Sequence, residues 1–173
     1  MKSDDVDLQI IRLKHGWSCA RLSINGIPHE FTMTHIFADP LESIAITALE
    51  LNPAIERTSF DWRDEPGCDR WSFERTREDH HLFAVTVGSY DAYQPTKHEE
   101  PTALVEFTVE YRFWKVLVCA ELARTEMLLR HSPFRDDRRP DTFPHRAFRE
   151  LERQIKDLCG PSGLANKADC AKP

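Results

Sequence analysis

Residues Ser59 to Val87 read S-F-D-W-R-D-E-P-G-C-D-R-W-S-F-E-R-T-R-E-D-H-H-L-F-A-V-T-V. Two runs of alternating aromatic and polar residues flank a Pro-Gly pair, and a third apolar run follows. Side chains of a strand alternate between faces, so Phe60 and Trp62 take one face of the incoming strand. Trp71 and Phe73 share that face on the return strand, while Asp61, Arg63, Arg70, Ser72 and Glu74 occupy the other. With Pro66-Gly67 at the centre of a two-residue turn, Trp62 opposes Trp71, Phe60 opposes Phe73 and Arg63 faces Arg70. A register shifted by two residues pairs Asp61 with Arg70 instead. Cross-strand aromatic pairs contribute about 0.2–1 kcal/mol each, and filling a core face is the first expectation for these side chains. A third strand near Leu82 to Ser89, reached through the charged turn Arg77-Glu78-Asp79, completes three consecutive neighbours.

Upstream, Leu8–Leu13, Trp17–Ile24 and Ile27–Ile36 form a meander punctuated by His15-Gly16 and Asn25-Gly26. Asn-Gly suits a tight hairpin because both residues tolerate positive φ. Asp39-Pro40-Leu41-Glu42 opens a helix, with Asp39 as cap and Pro40 at the first helical position. Leu41, Ile44, Ala45, Ala48 and Leu49 form its buried stripe before Asn52-Pro53 stops it. Downstream, Tyr90 to Pro101 lacks periodicity and reads as a loop. Ala103, Val105, Phe107 and Val109 alternate as a strand, and near Tyr111 the period changes to that of a helix. Phe113, Leu117, Ala120 and Met127 are the expected buried face of that helix. After a charged connector, a last helix starts at Thr142-Phe143-Pro144 and buries Phe148, Leu151, Ile155 and Leu158 before Gly160-Pro161. The expectation is one α+β domain over residues 1–160, a mainly antiparallel sheet of about six or seven strands with three helices packed on it, and a flexible tail over 161–173.

At 173 residues and 40% apolar side chains, the chain supports one core. No run approaches the roughly 18 consecutive apolar residues of a membrane helix, and the first residues include Asp4, Asp5 and Asp7 rather than a leader pattern. Five cysteines without a C-x-x-C pair fit reduced thiols and a cytoplasmic location. The net charge of −6 is unevenly spread: Asp39 to Glu110 holds 16 Asp/Glu against 6 Lys/Arg, which disfavours nucleic acid and favours a basic protein partner.

Recognised chemical motifs are absent. His29 and His35 lie six strand residues apart, about 20 Å, too far to share an ion, and His80 and His81 point to opposite strand faces. Neither H-x-H nor H-E-x-x-H occurs, so no metal or cofactor is expected. Serine and cysteine lie outside nucleophile motifs, and no phosphate-cradling glycine loop is present. Cys19 and Cys119 sit in apolar surroundings as small buried thiols, whereas Cys68 follows the Pro66-Gly67 turn, a place for an exposed thiol.

Asp39-Pro40-Leu41 with its helix, then W-R-D-E-P-G-C-D-R-W-S-F-E-R, a strand feeding a long helix, and F-P-H-R-A-F-R-E-L together resemble a group of small bacterial α+β proteins. That group is associated with toxin–immunity gene neighbourhoods and has no assigned catalytic activity. The resemblance covers Asp39 to Ile155, and its motif residues Trp62, Glu65, Pro66, Gly67, Trp71 and Phe143-Pro144 carry no catalytic role across. It implies a non-catalytic, immunity-type protein. The expectation is therefore a cytoplasmic binding module that masks a basic partner with Asp61, Asp64, Glu74 and Asp79. The competing expectation is an enzyme or small-ligand binder using a concave sheet, with His29, His35 or His81 in its pocket. A third is a homodimer formed through an open sheet edge.

Overall fold

Asn25 and Gly26 adopt φ of 51° and 81°, the left-handed pair that lets a two-residue turn follow the twist of its strands. On either side of it stand β2 (Trp17–Ile24) and β3 (Ile27–Thr34), and β1 (Val6–Arg12) pairs with β2 from the other side. In the computed structural model, residues 2–12, 16–36, 39–92, 94–96, 99–131 and 143–159 are described. Leu13 and His15, most of the charged connector, the start at Thr142 and the tail beyond Cys159 lie outside them.

Helix α1 (Pro40–Glu50) follows, its Leu41 N–H donating to Asp39 Oδ1 at 2.8 Å. Then come β4 (Arg57–Arg63), β5 (Cys68–Arg75), β6 (Leu82–Tyr90) and β7 (Ala103–Glu110), each antiparallel to the one before. Helix α2 (Tyr111–Leu129) begins at the residue after β7, and α3 (His145–Cys159) closes the described chain.

The architecture is α+β with seven strands in two antiparallel sheets, β1-β2-β3 and β4-β5-β6-β7, rather than one continuous sheet. Hairpin signals fix only neighbours joined by short turns. The 22-residue crossover through α1 separates β3 from β4, and no ladder joins them. At the other side, Asp4 N–H donates to the Thr108 carbonyl at 2.8 Å and Thr108 N–H to Asp4 Oδ2 at 2.7 Å. Farther along β1, α2 takes the place of a strand. Ile10 N–H donates to Glu121 Oε1 at 2.6 Å, and the Arg124 guanidinium donates to the Ile10 carbonyl while gripping Glu121. An edge strand's unsatisfied groups are thereby covered by a helix.

One buried cluster draws side chains from both sheets and all three helices. Trp71 is its hub, with ring centroids of Phe31 at 5.4 Å, Phe60 at 5.5 Å, Trp62 at 4.9 Å and Trp114 at 6.0 Å. Phe31 comes from the first sheet, Phe60, Trp62 and Trp71 from the second, and Trp114 from α2. The two sheets and α2 thus share one interior. The hairpin register is the shifted one: Phe60 opposes Trp71 and Asp61 opposes Arg70. Four residues, Asp64 to Gly67, form the turn, with a cis bond before Pro66 and Glu65 at φ 39°. The longer turn moves every pair by two and replaces an Arg63–Arg70 repulsion with an Asp61–Arg70 ion pair.

Two sequence expectations about burial fail. Trp114, Val118 and Leu122 point α2 into the core, so Phe113, Ala120 and Met127 face outward and Leu117 lies half-buried. Cys68 is 1% exposed rather than open in a turn, and Cys19 and Cys119 are half-buried.

Candidate functional site

The β4–β5 turn concentrates carboxylates. Asp64 and Glu65 lie in it, Asp61 stands at the end of β4, Asp69 near the start of β5, and Asp91 just past β6. Antiparallel pairing places Cys68 opposite both Arg63 and Tyr90, which brings the end of β6 beside the turn. Gly67 makes the approach possible: a Cβ there would collide with the Tyr90 carbonyl oxygen and come within 2.9 Å of Asp64 Oδ1.

These acids are not equivalent. Asp61 is neutralised by a two-pronged contact from Arg70, Nε to Oδ1 at 2.9 Å and Nη2 to Oδ2 at 3.1 Å. Arg70 in turn lies 5.9 Å from the Tyr90 ring. Among the described residues, no cation acts on Asp69. It shares the parity of Trp71 and Phe73, so its carboxylate points inward and is 6% exposed, held by the Ser89 hydroxyl, which donates to Oδ1 at 2.5 Å. Burial pushes its pKa up to about 6, Ser89 opposes that rise, and the nearby Asp64 adds to it. The Asp64 carboxyl is also raised, by burial first, with turn N–H groups opposing and Asp91 contributing repulsion. Glu65 and Asp91 are exposed. The result is a cluster in which Asp91 repels Asp64 and Asp64 repels the buried Asp69, with Glu65 exposed in the same turn. Beside it, burial lifts the Cys68 thiol to about 11, with Asp61 adding to the effect, which leaves that thiol protonated and inert at neutral pH.

The four acids expected to act together fall into two groups. Asp61 and Asp64 are at the turn. Glu74 and Asp79 are at the far end of β5, whose eight residues span about 25 Å. Glu74 faces Arg57 at 3.5 Å, and Asp79 is occupied locally, its Oδ1 accepting the His81 N–H at 2.8 Å. That end also has a cleft of about 390 Å³ lined by Glu56, Glu74, Arg75, Thr76, Arg77 and His80. Its charges are balanced, with Arg75 3.9 Å from Glu56 and donating to the Pro53 carbonyl.

The histidines of the competing reading are dispersed. His29 is half-buried on β3 opposite Leu22, the His35 ring Nε2 lies 2.6 Å from the Ser18 hydroxyl, and His81 stacks on Tyr111 with centroids 5.7 Å apart. None of the three lines the far-end cleft or the small cavity between Thr34, Pro40, Ser43 and Asp61–Arg63. Among the described residues, no group of three His, Cys, Asp or Glu is placed to hold a metal ion, and no helix is long and apolar enough to cross a membrane.

Sequence reasoning overlooked Asp69 and Asp91. Strand parity carried the signal for Asp69, since a carboxylate in step with Trp71 and Phe73 has to enter the core. Asp91 joins the site only through the β5–β6 pairing, which no local motif announces. Comparison of the chain with known protein families, with curated proteins and with solved structures finds no match.

Proposed function

We propose that this protein is a non-catalytic protein-binding module, of the immunity type, that presents the β4–β5 turn to a basic surface of its partner. The observation that carries this reading is Asp69. A carboxylate buried with a hydroxyl and no cation opposes folding at neutral pH, and such a charge is favourable only when something positive arrives. Asp64 adds negative charge beside it and Asp91 beside Asp64, and with the exposed Glu65 of the same turn they steer a cationic partner toward this end of the sheet. The free thiols of Cys19, Cys68 and Cys119 support a reducing compartment such as the cytoplasm.

The test is affinity capture with three baits: the parent, a turn-reversed variant (Glu65→Lys with Asp91→Lys) and a far-end variant (Glu74→Lys with Asp79→Asn). Glu65 and Asp91 are exposed, so their reversal leaves the fold intact by circular dichroism. The expected result is a basic protein retained by the parent and the far-end variant and lost from the turn-reversed one, more strongly at low salt. Retention of the same partner by the turn-reversed bait, or loss only from the far-end bait, overturns the reading.

A further inference from the structure

One hydroxyl donates to Asp69, and its other neighbours are apolar or negative. Its partners across the two ladders are Trp62 on β4 and Ser89 on β6, and Trp71 follows it in the same parity. Both indoles are buried, and neither N–H serves the carboxylate. That of Trp62 donates to the Pro40 carbonyl, and that of Trp71 has no acceptor among the described residues. The turn adds Asp64, a repelling charge, and Asp91 beyond β6 acts in the same sense on Asp64. The two arginines that follow Asp61 along the hairpin, Arg63 and Arg70, share its parity and so belong to the other face of the sheet, where Arg70 grips Asp61. Cys68 between them is protonated at neutral pH and brings no charge.

This geometry alone keeps a proton on the carboxyl above the ordinary carboxylate range, because burial and a like charge both disfavour ionisation and a single hydroxyl offsets only part of that. A bound proton and a bound cation neutralise the same two oxygens. We propose that protonation of Asp69 and docking of a basic partner exclude one another, so that the complex formed at neutral pH dissociates in mildly acidic solution. The proposal rests on the proposed function and adds the regulation of that site. Docking at acid pH converts the carboxylic acid to the carboxylate and passes its proton to solvent.

The free carboxyl is pushed up to about 6, and a cation beside it draws the group back toward its ordinary 3.8. Linkage between those two states fixes the size of the effect. Affinity falls about tenfold from pH 7.5 to pH 5, and each binding event at pH 5 releases about 0.85 proton, against almost none at pH 7.5.

The test is calorimetric titration of hexalysine, whose side chains stay charged at both pH values, into the full chain at pH 7.5 and 5 and low salt. Two buffers of different ionisation heat count the protons released. The parent should lose about tenfold in affinity and release the proton at pH 5. Asp69→Asn should bind more weakly than the parent at pH 7.5 and lose little more at pH 5, and circular dichroism at both pH values controls for folding. A parent that binds no hexalysine at pH 7.5, or a turn-reversed variant that binds it as well as the parent, overturns the functional reading and this switch together. Binding at the turn that is equal at the two pH values, or that releases no proton at pH 5, overturns the switch alone. So does an Asp69→Asn variant that keeps the parent's full pH dependence.

Discussion

Replacing Asp69 with asparagine isolates the energetic cost of the buried carboxylate. In the folded protein its pKa is about 6 against an ordinary value of 3.8. The folded state therefore holds the proton more tightly than the unfolded chain does. The stability this gives is fully present below about pH 3.8 and is lost as pH rises through the window to about 6. A rise of about 2 in pKa at about 1.4 kcal/mol each gives a loss of about 3 kcal/mol by pH 7, an order-of-magnitude figure for a side chain 6% exposed. Asparagine keeps an oxygen to accept the Ser89 hydroxyl and does not titrate. Urea denaturation of parent and Asp69→Asn at pH 3.5 and 7.5 should show the variant gaining about 3 kcal/mol on the parent between the two pH values. With a denaturant slope near 2 kcal/mol/M, that is a relative midpoint shift of about 1–2 M. Carboxylates remote from Asp69 titrate equally in both proteins and cancel. A constant difference between parent and variant across this range would refute the reasoning. On the proposed function a basic partner neutralises the same carboxylate, so the variant should also bind that partner less tightly while being the more stable protein.

Gly67→Ala forces a methyl group into the Tyr90 carbonyl, so thermal unfolding should show a loss of about 1–3 kcal/mol together with loss of partner capture. Asp39→Ala removes the cap on the Leu41 N–H and should cost about 0.5–2 kcal/mol by chemical denaturation while leaving capture unchanged; an unshifted midpoint would mean the cap contributes nothing. Burial lowers Lys115, 3% exposed, to about 8 from 10.5, with Glu150 opposing. The folded state thus binds that proton less tightly, and the parent should gain about 3 kcal/mol on Lys115→Met between pH 8 and 10.5, measured by urea midpoints at both ends.

Local signals in the sequence specified local structure well. Asn25-Gly26 announced its hairpin, Asp39-Pro40 announced α1, and the change of period at Tyr111 falls on the first residue of α2. What failed depends on contacts between distant residues. Whether β3 joins β4 is decided by packing across α1, so two sheets look like one from the hairpins alone. The phase of α2 was misread because Phe113 and Met127 are as apolar as Val118 and Leu122, and hydrophobicity alone does not say which of two stripes faces the core. At the candidate site, Asp61 and Asp64 were visible as charged residues beside a turn. Grouping them with Glu74 and Asp79 ignored the length of β5, and Asp69 was passed over although its parity with Trp71 was in plain view.

The grip of Glu121 and Arg124 on Ile10 joins residues 111 and 114 positions apart. During synthesis the β1-β2-β3 meander leaves the ribosome ahead of α2 and waits for it. At about 5–20 residues per second, that interval lasts roughly 5–20 s. Throughout it the outer side of β1 carries an unclaimed N–H and carbonyl at Ile10, available to any other extended chain. The nascent protein is thus most adhesive before its second half exists, and a fragment ending ahead of Tyr111 is expected to form insoluble strand-paired aggregates where the full chain stays dispersed.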